Sequence, residues 1–156
     1  LPRISFIALA KMGRVAGADM MLIPTMWSSY QVATLEEGLR TAFALQQRLH
    51  GIKRTWPLPG GGIHPGLVHL LMQEYGPDIV LMAGGGLLGH PQGYTAGAKA
   101  FRQAVDAVMN DIPLEKYAQD HPELQAALDQ WGTFDRPKTN WGYAGAAFQP
   151  KTARRV

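Results

Sequence analysis

The sequence predicts an α/β fold built from parallel strand–helix units, and three observations carry that prediction. Short apolar runs over 19–24, 54–59 and 78–83 alternate with longer stretches of helical periodicity. Two of those runs end in three glycines, at Gly60, Gly61 and Gly62 and again at Gly84, Gly85 and Gly86. The chain has 156 residues, too few for an eight-stranded barrel, which takes about 250. Three units therefore leave two architectures open, an open sheet or the end of a barrel.

A first helix is expected over 5–17, where Phe6, Ile7, Leu9, Ala10 and Val15 share a face and Gly17 stops the run. Residues 19–24 form an unbroken apolar stretch after Asp19, expected as a strand buried on both faces, with Met20 and Met21 in its core. Residues 25–33 are polar and aromatic and read as a loop. Thr34 and Glu37 then frame a capping box, in which each side chain meets a free backbone N–H. Leu35, Leu39, Ala42, Leu45 and Leu49 follow at helical spacing until Gly51. The extended piece over 54–59 carries prolines that limit its ladder hydrogen bonds.

Pro65 opens a helix that closes at Gly76. Residues 78–83 are the clearest strand of the chain. After the second glycine triplet and a loop with His90 and Pro91, helices are expected over 94–110, 114–119 and 122–131. The chain thus divides into strand–helix units over 1–111, a helical extension over 112–132 and an irregular tail over 133–156.

Composition excludes several classes of function. Hydrophobic residues at 46% and charged residues at 17% describe a globular chain, not a disordered one. The absence of cysteine removes disulfides and thiolate metal sites, and it fits a reducing, cytoplasmic location. The apolar runs fall far short of the roughly 20 residues of a membrane helix. The abrupt start at Leu1-Pro2-Arg3 carries no signal-peptide pattern and reads as a piece of a longer chain. The net charge of +3 is partly in the tail, at Lys138, Lys151, Arg154 and Arg155, and no basic stripe with aromatics occurs. No nucleic-acid partner is expected, whereas a phosphorylated small molecule suits the mild positive balance.

The glycine triplets are the strongest functional signal. Residues without Cβ atoms can turn several N–H groups toward one point and let an anion come close. A helix start just beyond adds its dipole, and in barrels the loops after the seventh and eighth strands are a frequent phosphate site. The bland alternative is that glycine serves only tight turns and close packing. Gly84, Gly86 and Gly89 also fit a dinucleotide fingerprint. That reading fails on context: His90-Pro91 interrupts the helix, and the acid about 20 residues on, Asp106, sits inside the next helix.

These motifs resemble a known family. Gly61-Gly-Ile-His-Pro-Gly66, Ala83-Gly-Gly-Gly-Leu-Leu-Gly-His-Pro-Gln-Gly93 and Gly97-Ala-Lys-Ala-Phe-Arg-Gln-Ala104 look like the C-terminal half of RuBisCO and RuBisCO-like proteins. Leu9-Ala-Lys-Met12 and Ala16-Gly-Ala-Asp19 match the helix and strand before the mobile sixth loop of that family. The resemblance covers about 5–131 and implies the C-terminal part of a (β/α)8 TIM barrel. It also implies enolisation or isomerisation of a phosphorylated ketose or diketone, with Mg2+ on ligands upstream of Leu1.

In that picture this chain grips the substrate phosphate through Gly60, Gly61, Gly62, Gly84 and Gly85, and Thr25 is a candidate substrate contact. A homodimer or higher oligomer is expected. No catalytic residue or metal ligand is assigned within the chain.

Departures from the carboxylase pattern point to the non-carboxylating branch of methionine salvage. The lysine of the sixth loop falls near Ser29, and no lysine occurs between Lys11 and Lys53. Two histidines expected at reactive positions fall at about Leu22 and Ser5. The other reading is a free-standing phosphate-binding half barrel without catalysis, or a fragment that needs a partner for its active site.

Other residues have plainer uses. His64 and His90 each precede a proline, where capping or orienting is the expected role. His64 and His69 diverge on a helix and make no metal pair. His50 and His121 read as surface residues, Asp19 as structural, and Lys99 and Arg102 as solvent-facing ion-pair partners. Trp27 and Tyr30 would either line a pocket or pack the loop.

Overall fold

The computed structural model describes residues 4–27 and 33–134. They fall into two compact units, one drawn from Leu1–Gly61 with Glu74–Met82 and the other from Gly62–Gln73 with Ala83–Val156.

In the first unit, α1 (Phe6–Val15) leads into β1 (Met20–Ile23), and α2 (Leu35–Gln46) leads into β2 (Trp56–Pro59). Ser5 caps α1 by accepting the Ala8 N–H at 3.2 Å, and Thr34 caps α2 by accepting the Glu37 N–H at 3.2 Å. The two strands run parallel, with Met20 opposite Trp56 and Ile23 opposite Pro59. Asp19 proves structural: its carbonyl takes the Trp56 N–H at 2.8 Å, and its carboxylate pairs with Lys53.

Helix α2 ends at Gln46, earlier than the spacing of Leu49 suggests. Gln47 is extended, the chain turns through a Leu49–Ile52 bridge, and the Thr55 N–H returns to the Leu45 carbonyl at 3.1 Å. The buried guanidinium of Arg14 secures that turn. Its Nη1 donates to the Ala44 carbonyl at 2.7 Å and its Nη2 to the Lys53 carbonyl at 3.2 Å. The last carbonyls of a helix lack intrahelical donors, and Arg14 supplies one from another helix.

The strand expected over 78–83 is reduced to a single parallel bridge, Gly60 with Met82. The prolines explain the shortfall. Val80 and Met82 donate to the Pro57 and Pro59 carbonyls at 3.0 and 3.2 Å. A parallel ladder needs a return bond to the Val80 carbonyl from residue 59, and Pro59 has no N–H to give.

Strand β1 is also not buried on both faces. Met20 and Leu22 are 57% and 53% exposed, as are Trp56 (48%) and Met82 (46%), while Ile23 is buried. Side chains alternate across a strand, so these four lie on a sheet face that nothing among the described residues covers.

In the second unit a 3-10 turn (Pro65–Leu67) enters α3 (Val68–Tyr75), whose last two residues count with the first unit. After it come α4 (Gly85–Leu88), α5 (Tyr94–Met109), α6 (Leu114–Ala118) and α7 (Pro122–Trp131). Helix α5 organises this unit through a stripe of buried Ala96, Ala100, Ala104 and Ala107. Small side chains let α7 come close with its buried Leu124, Ala127 and Leu128.

The Gln103 amide joins the two helices, accepting the Leu124 N–H and donating to Glu123 Oε2, both at 2.9 Å. That bond, with help from Lys99, holds the Glu123 carboxyl at a pKa of about 2. Lys99 pairs with Glu123 at 3.2 Å and Arg102 with Asp106 at 2.6 Å. No described helix is long and apolar enough to cross a membrane.

Replacing Arg14 by Met keeps the bulk but leaves the Ala44 and Lys53 carbonyls without that donor. The expected loss of stability is about 2–4 kcal/mol, read as a lower midpoint in urea unfolding with unchanged slope. A midpoint equal to that of the unaltered chain would show that the guanidinium contributes nothing.

Candidate functional site

The two glycine triplets do not owe their glycines to one cause. Gly60 is closely packed, since a Cβ there would lie 2.7 Å from Leu22 Cδ1 and the half-exposed leucine would have to move aside. Gly61 and Gly62 have φ of +98° and +77°, a left-handed backbone that favours glycine. Gly86 is packed backbone to backbone: a Cβ would run into the Ile63 carbonyl and lie 2.6 Å from His64 Cα. Gly84 and Gly85 differ from all of these. Neither has positive φ, and nothing among the described residues lies within 4 Å of where a Cβ would stand.

The second triplet also starts α4, which the sequence reading treats as loop. Gly84 is its N-cap, with φ −72° and ψ −74°, and accepts the Leu88 N–H at 3.0 Å. The first N–H groups of such a turn have no intrahelical acceptor; Gly85 is exposed, whereas Gly86 is buried. Within the second unit, the Gly86–His64 contact sets this turn beside the segment that begins at Gly62.

Both histidines of the motifs are held by the C-terminal helix. His90 is buried, and its Nδ1 accepts the Gln92 N–H at 3.1 Å. The ring proton is therefore on Nε2, which donates to the Glu123 carbonyl at 2.9 Å. His64 stacks on Trp131 with ring centres 5.7 Å apart and packs against Phe134 at 5.3 Å. Its buried Nδ1 has no hydrogen-bond partner among the described residues, and burial pulls its pKa from 6.5 down to about 4. His69 Nε2 donates to the Phe134 carbonyl at 2.9 Å. These are orienting roles.

Thr25 follows β1 and is fully buried, with an Oγ1 that has no hydrogen-bond partner among the described residues. Trp27 packs rather than lining a pocket; it is buried and donates from Nε1 to Glu74 Oε2 at 2.8 Å. Ser29 and Tyr30 lie outside the described residues, as does the tail from 135. A cavity of about 300 Å³ among Gln46, Arg54, Trp56, Tyr75 and Asp78 sits at the N-terminal end of β2, away from its glycine end. Among the described residues no group of three or more His, Asp or Glu could hold a metal ion.

Sequence reasoning missed the part played by residues 131–134. Trp131 stands near both motif histidines, and the Gly132 carbonyl fills the space a side chain on Gly66 would need. An aromatic residue followed by glycine at a helix end was the available signal.

Comparison with known proteins bears on the whole of this region. The family model for the ribulose bisphosphate carboxylase large chain, catalytic domain, matches residues 3–131. A ribulose bisphosphate carboxylase of Archaeoglobus fulgidus is 44% identical over 146 residues, covering 83% of this chain and 33% of that protein. A 2,3-diketo-5-methylthiopentyl-1-phosphate enolase of Geobacillus kaustophilus is 42% identical over 127 residues, covering 81% of this chain and 30% of that protein. The solved octameric ribulose-1,5-bisphosphate carboxylase/oxygenase of Pyrococcus horikoshii superposes with a TM-score of 0.76 at 38% identity, over 82% of this chain and 31% of that one. The chain thus spans about a third of the length of the curated relatives it matches.

The low pKa of His64 makes stability depend on pH with a defined sign. The unfolded chain binds this proton near pH 6.5 and the folded chain only near 4. Stability is therefore full above about 6.5 and falls as the pH drops toward 4. The loss is expected to reach at most roughly 3 kcal/mol. Replacing His64 by Phe should flatten the pH dependence of the thermal midpoint across that window; an unchanged slope would contradict the assignment.

Proposed function

This chain belongs to the ribulose bisphosphate carboxylase large-chain family and carries the last strand–helix units of its TIM barrel, and from that premise we propose that it is the substrate-gripping part of a RuBisCO-like enolase or isomerase. Its task is to bind the phosphate of a phosphorylated ketose or diketone. One observation carries this reading. Gly84 and Gly85 are glycines that neither backbone conformation nor packing requires.

Within a helix glycine costs up to about 1 kcal/mol relative to alanine, which applies to Gly85 in the first turn of α4 and not to the N-cap Gly84, where glycine is itself favoured over alanine. Glycine at both positions suits an anion that must approach the backbone closely. The N–H groups of Gly85 and Gly62, with that of Gly84, are the proposed donors within the second unit. Gly60 and Gly61 are proposed to shape the turn that delivers Gly62. Thr25 is proposed as a substrate contact, because its buried hydroxyl has no hydrogen-bond partner among the described residues.

Overall likeness does not choose between branches, since a carboxylase and an enolase match at 44% and 42%. The residues favour the enolase side. Between Lys11 and Lys53 there is no lysine to stabilise a carboxylated intermediate. The Mg2+ that the family implies does not fit the residues present, because no described cluster could hold it. Its ligands are proposed to lie outside this chain, and this chain's contribution is to bind and orient the phosphate end of the substrate.

The test compares the unaltered chain with Gly84→Ala and Gly85→Ala, measuring binding of a phosphorylated ketose by calorimetry. Each alanine is expected to weaken binding about tenfold or more; Gly85→Ala should leave stability equal or higher by up to about 1 kcal/mol, and Gly84→Ala should lower it by less than about 1 kcal/mol because the N-cap favours glycine over alanine. Unchanged affinity would remove the phosphate grip. In the same samples, with magnesium and bicarbonate, no deuterium uptake from D2O into the ketose is expected. Uptake would mean that these residues alone assemble an enolisation site.

An oligomeric state is also proposed, supported by the uncovered sheet face of Met20, Leu22, Trp56 and Met82. Sedimentation equilibrium at micromolar concentration should report a mass above that of one chain. A clean monomer would speak against it.

A further inference from the structure

We propose that Trp131 is a positioning residue for the phosphate-gripping glycines, holding the segment that begins at Gly62 and the turn that begins at Gly84 in one fixed register. This inference rests on the phosphate-grip reading above. Its basis is a contact pattern centred on one indole. Trp131 stacks on His64 with ring centres 5.7 Å apart and planes 25° apart, and it meets His90 at 6.3 Å and 57°. His64 stands two residues after Gly62, and His90 stands just beyond the turn of α4. One side chain from each glycine motif thus packs on a single flat ring.

The indole is itself held on a fixed support. At its start, α7 receives the His90 Nε2 bond on the Glu123 carbonyl at 2.9 Å and the Gln103 cap on the Leu124 N–H at 2.9 Å. At its end, the Gly132 carbonyl occupies the space beside Gly66 that a side chain would need. Trp131 Cζ2 also lies 3.6 Å from where a Cβ on Gly89 would stand, so the ring reaches the end of α4 directly. The chain returns through three helices to place this residue there. A side chain that only filled the core would not need to touch both histidines.

The physical consequence concerns geometry rather than chemistry. N–H donors hold an anion well only when their relative positions are set within a fraction of an ångström. The Gly86–His64 contact brings the two backbone segments together, and Trp131 limits their sliding by packing on the side chain each one carries. His64 suits this role because burial keeps its ring uncharged at neutral pH, which lets it lie against an aromatic face without a buried charge.

The test uses the full chain with Trp131→Ala and Trp131→Phe, probed with a phosphorylated ketose and with inorganic phosphate. We expect Trp131→Ala to weaken ester binding about tenfold or more, and Trp131→Phe to restore it to within about threefold. The amide resonances of Gly62, Gly84 and Gly85 should shift or broaden in the alanine variant and return in the phenylalanine variant. Wild-type affinity with unmoved glycine amides in Trp131→Ala would overturn the proposal.

If Trp131→Ala loses its far-ultraviolet signal, Trp131→Leu takes its place, since it keeps an apolar side chain but no flat face. The two readings fail separately. An unaltered chain that binds no ester removes the phosphate grip, and the glycine amides of the variants still decide whether Trp131 positions them.

Discussion

Backbone packed directly on backbone is the constraint on which the second unit depends. Gly86 meets the Ile63 carbonyl and the His64 backbone, Gly97 meets the Leu87 carbonyl, and Gly66 meets the Gly132 carbonyl. In each place a methyl group would force something to shift, and the neighbours of all three include main-chain atoms that cannot swing away. These contacts draw the segment after β2, the turn of α4, helix α5 and the end of α7 into one body. They account for Gly66, Gly86 and Gly97 among the 18 glycines, and Gly84 and Gly85 take no part in them.

The first unit depends on hydrogen-bond accounting instead. Prolines in β2 place two carbonyls, but no N–H at residue 59, toward the next extended segment, and the third strand shrinks to a bridge. A buried Arg14 donates from both Nη atoms to carbonyl groups at the end of α2 and before β2. In barrels of this kind the chemistry sits at the C-terminal ends of the strands, so what fixes β1 and β2 also fixes where Thr25 and Gly60 emerge.

Much of the fold was legible because its signals are local. Ser5, Thr34 and Gly76 mark helix ends through bonds and dihedrals made within a few residues of themselves. The helix over Pro122–Trp131 followed from its proline start and its periodicity. The strand over 78–83 was overstated for the same reason. Its own residues favour a strand, but a ladder needs a partner, and the partner's prolines lie elsewhere in the chain. The burial of β1 was overstated likewise, since an apolar run reports what a strand could bury and not what stands over it.

The sequence by itself determined the alternation of strands and helices, the helix caps and the two glycine triplets, and through those motifs the family. Each of these is written in neighbouring residues, where spacing and residue type are the whole of the physics. Only the tertiary structure decided which glycine serves the backbone and which serves packing. It also decided that Trp131 stands between His64 and His90. Those outcomes depend on contacts between residues far apart in the chain, and such contacts leave no periodicity for a sequence to display.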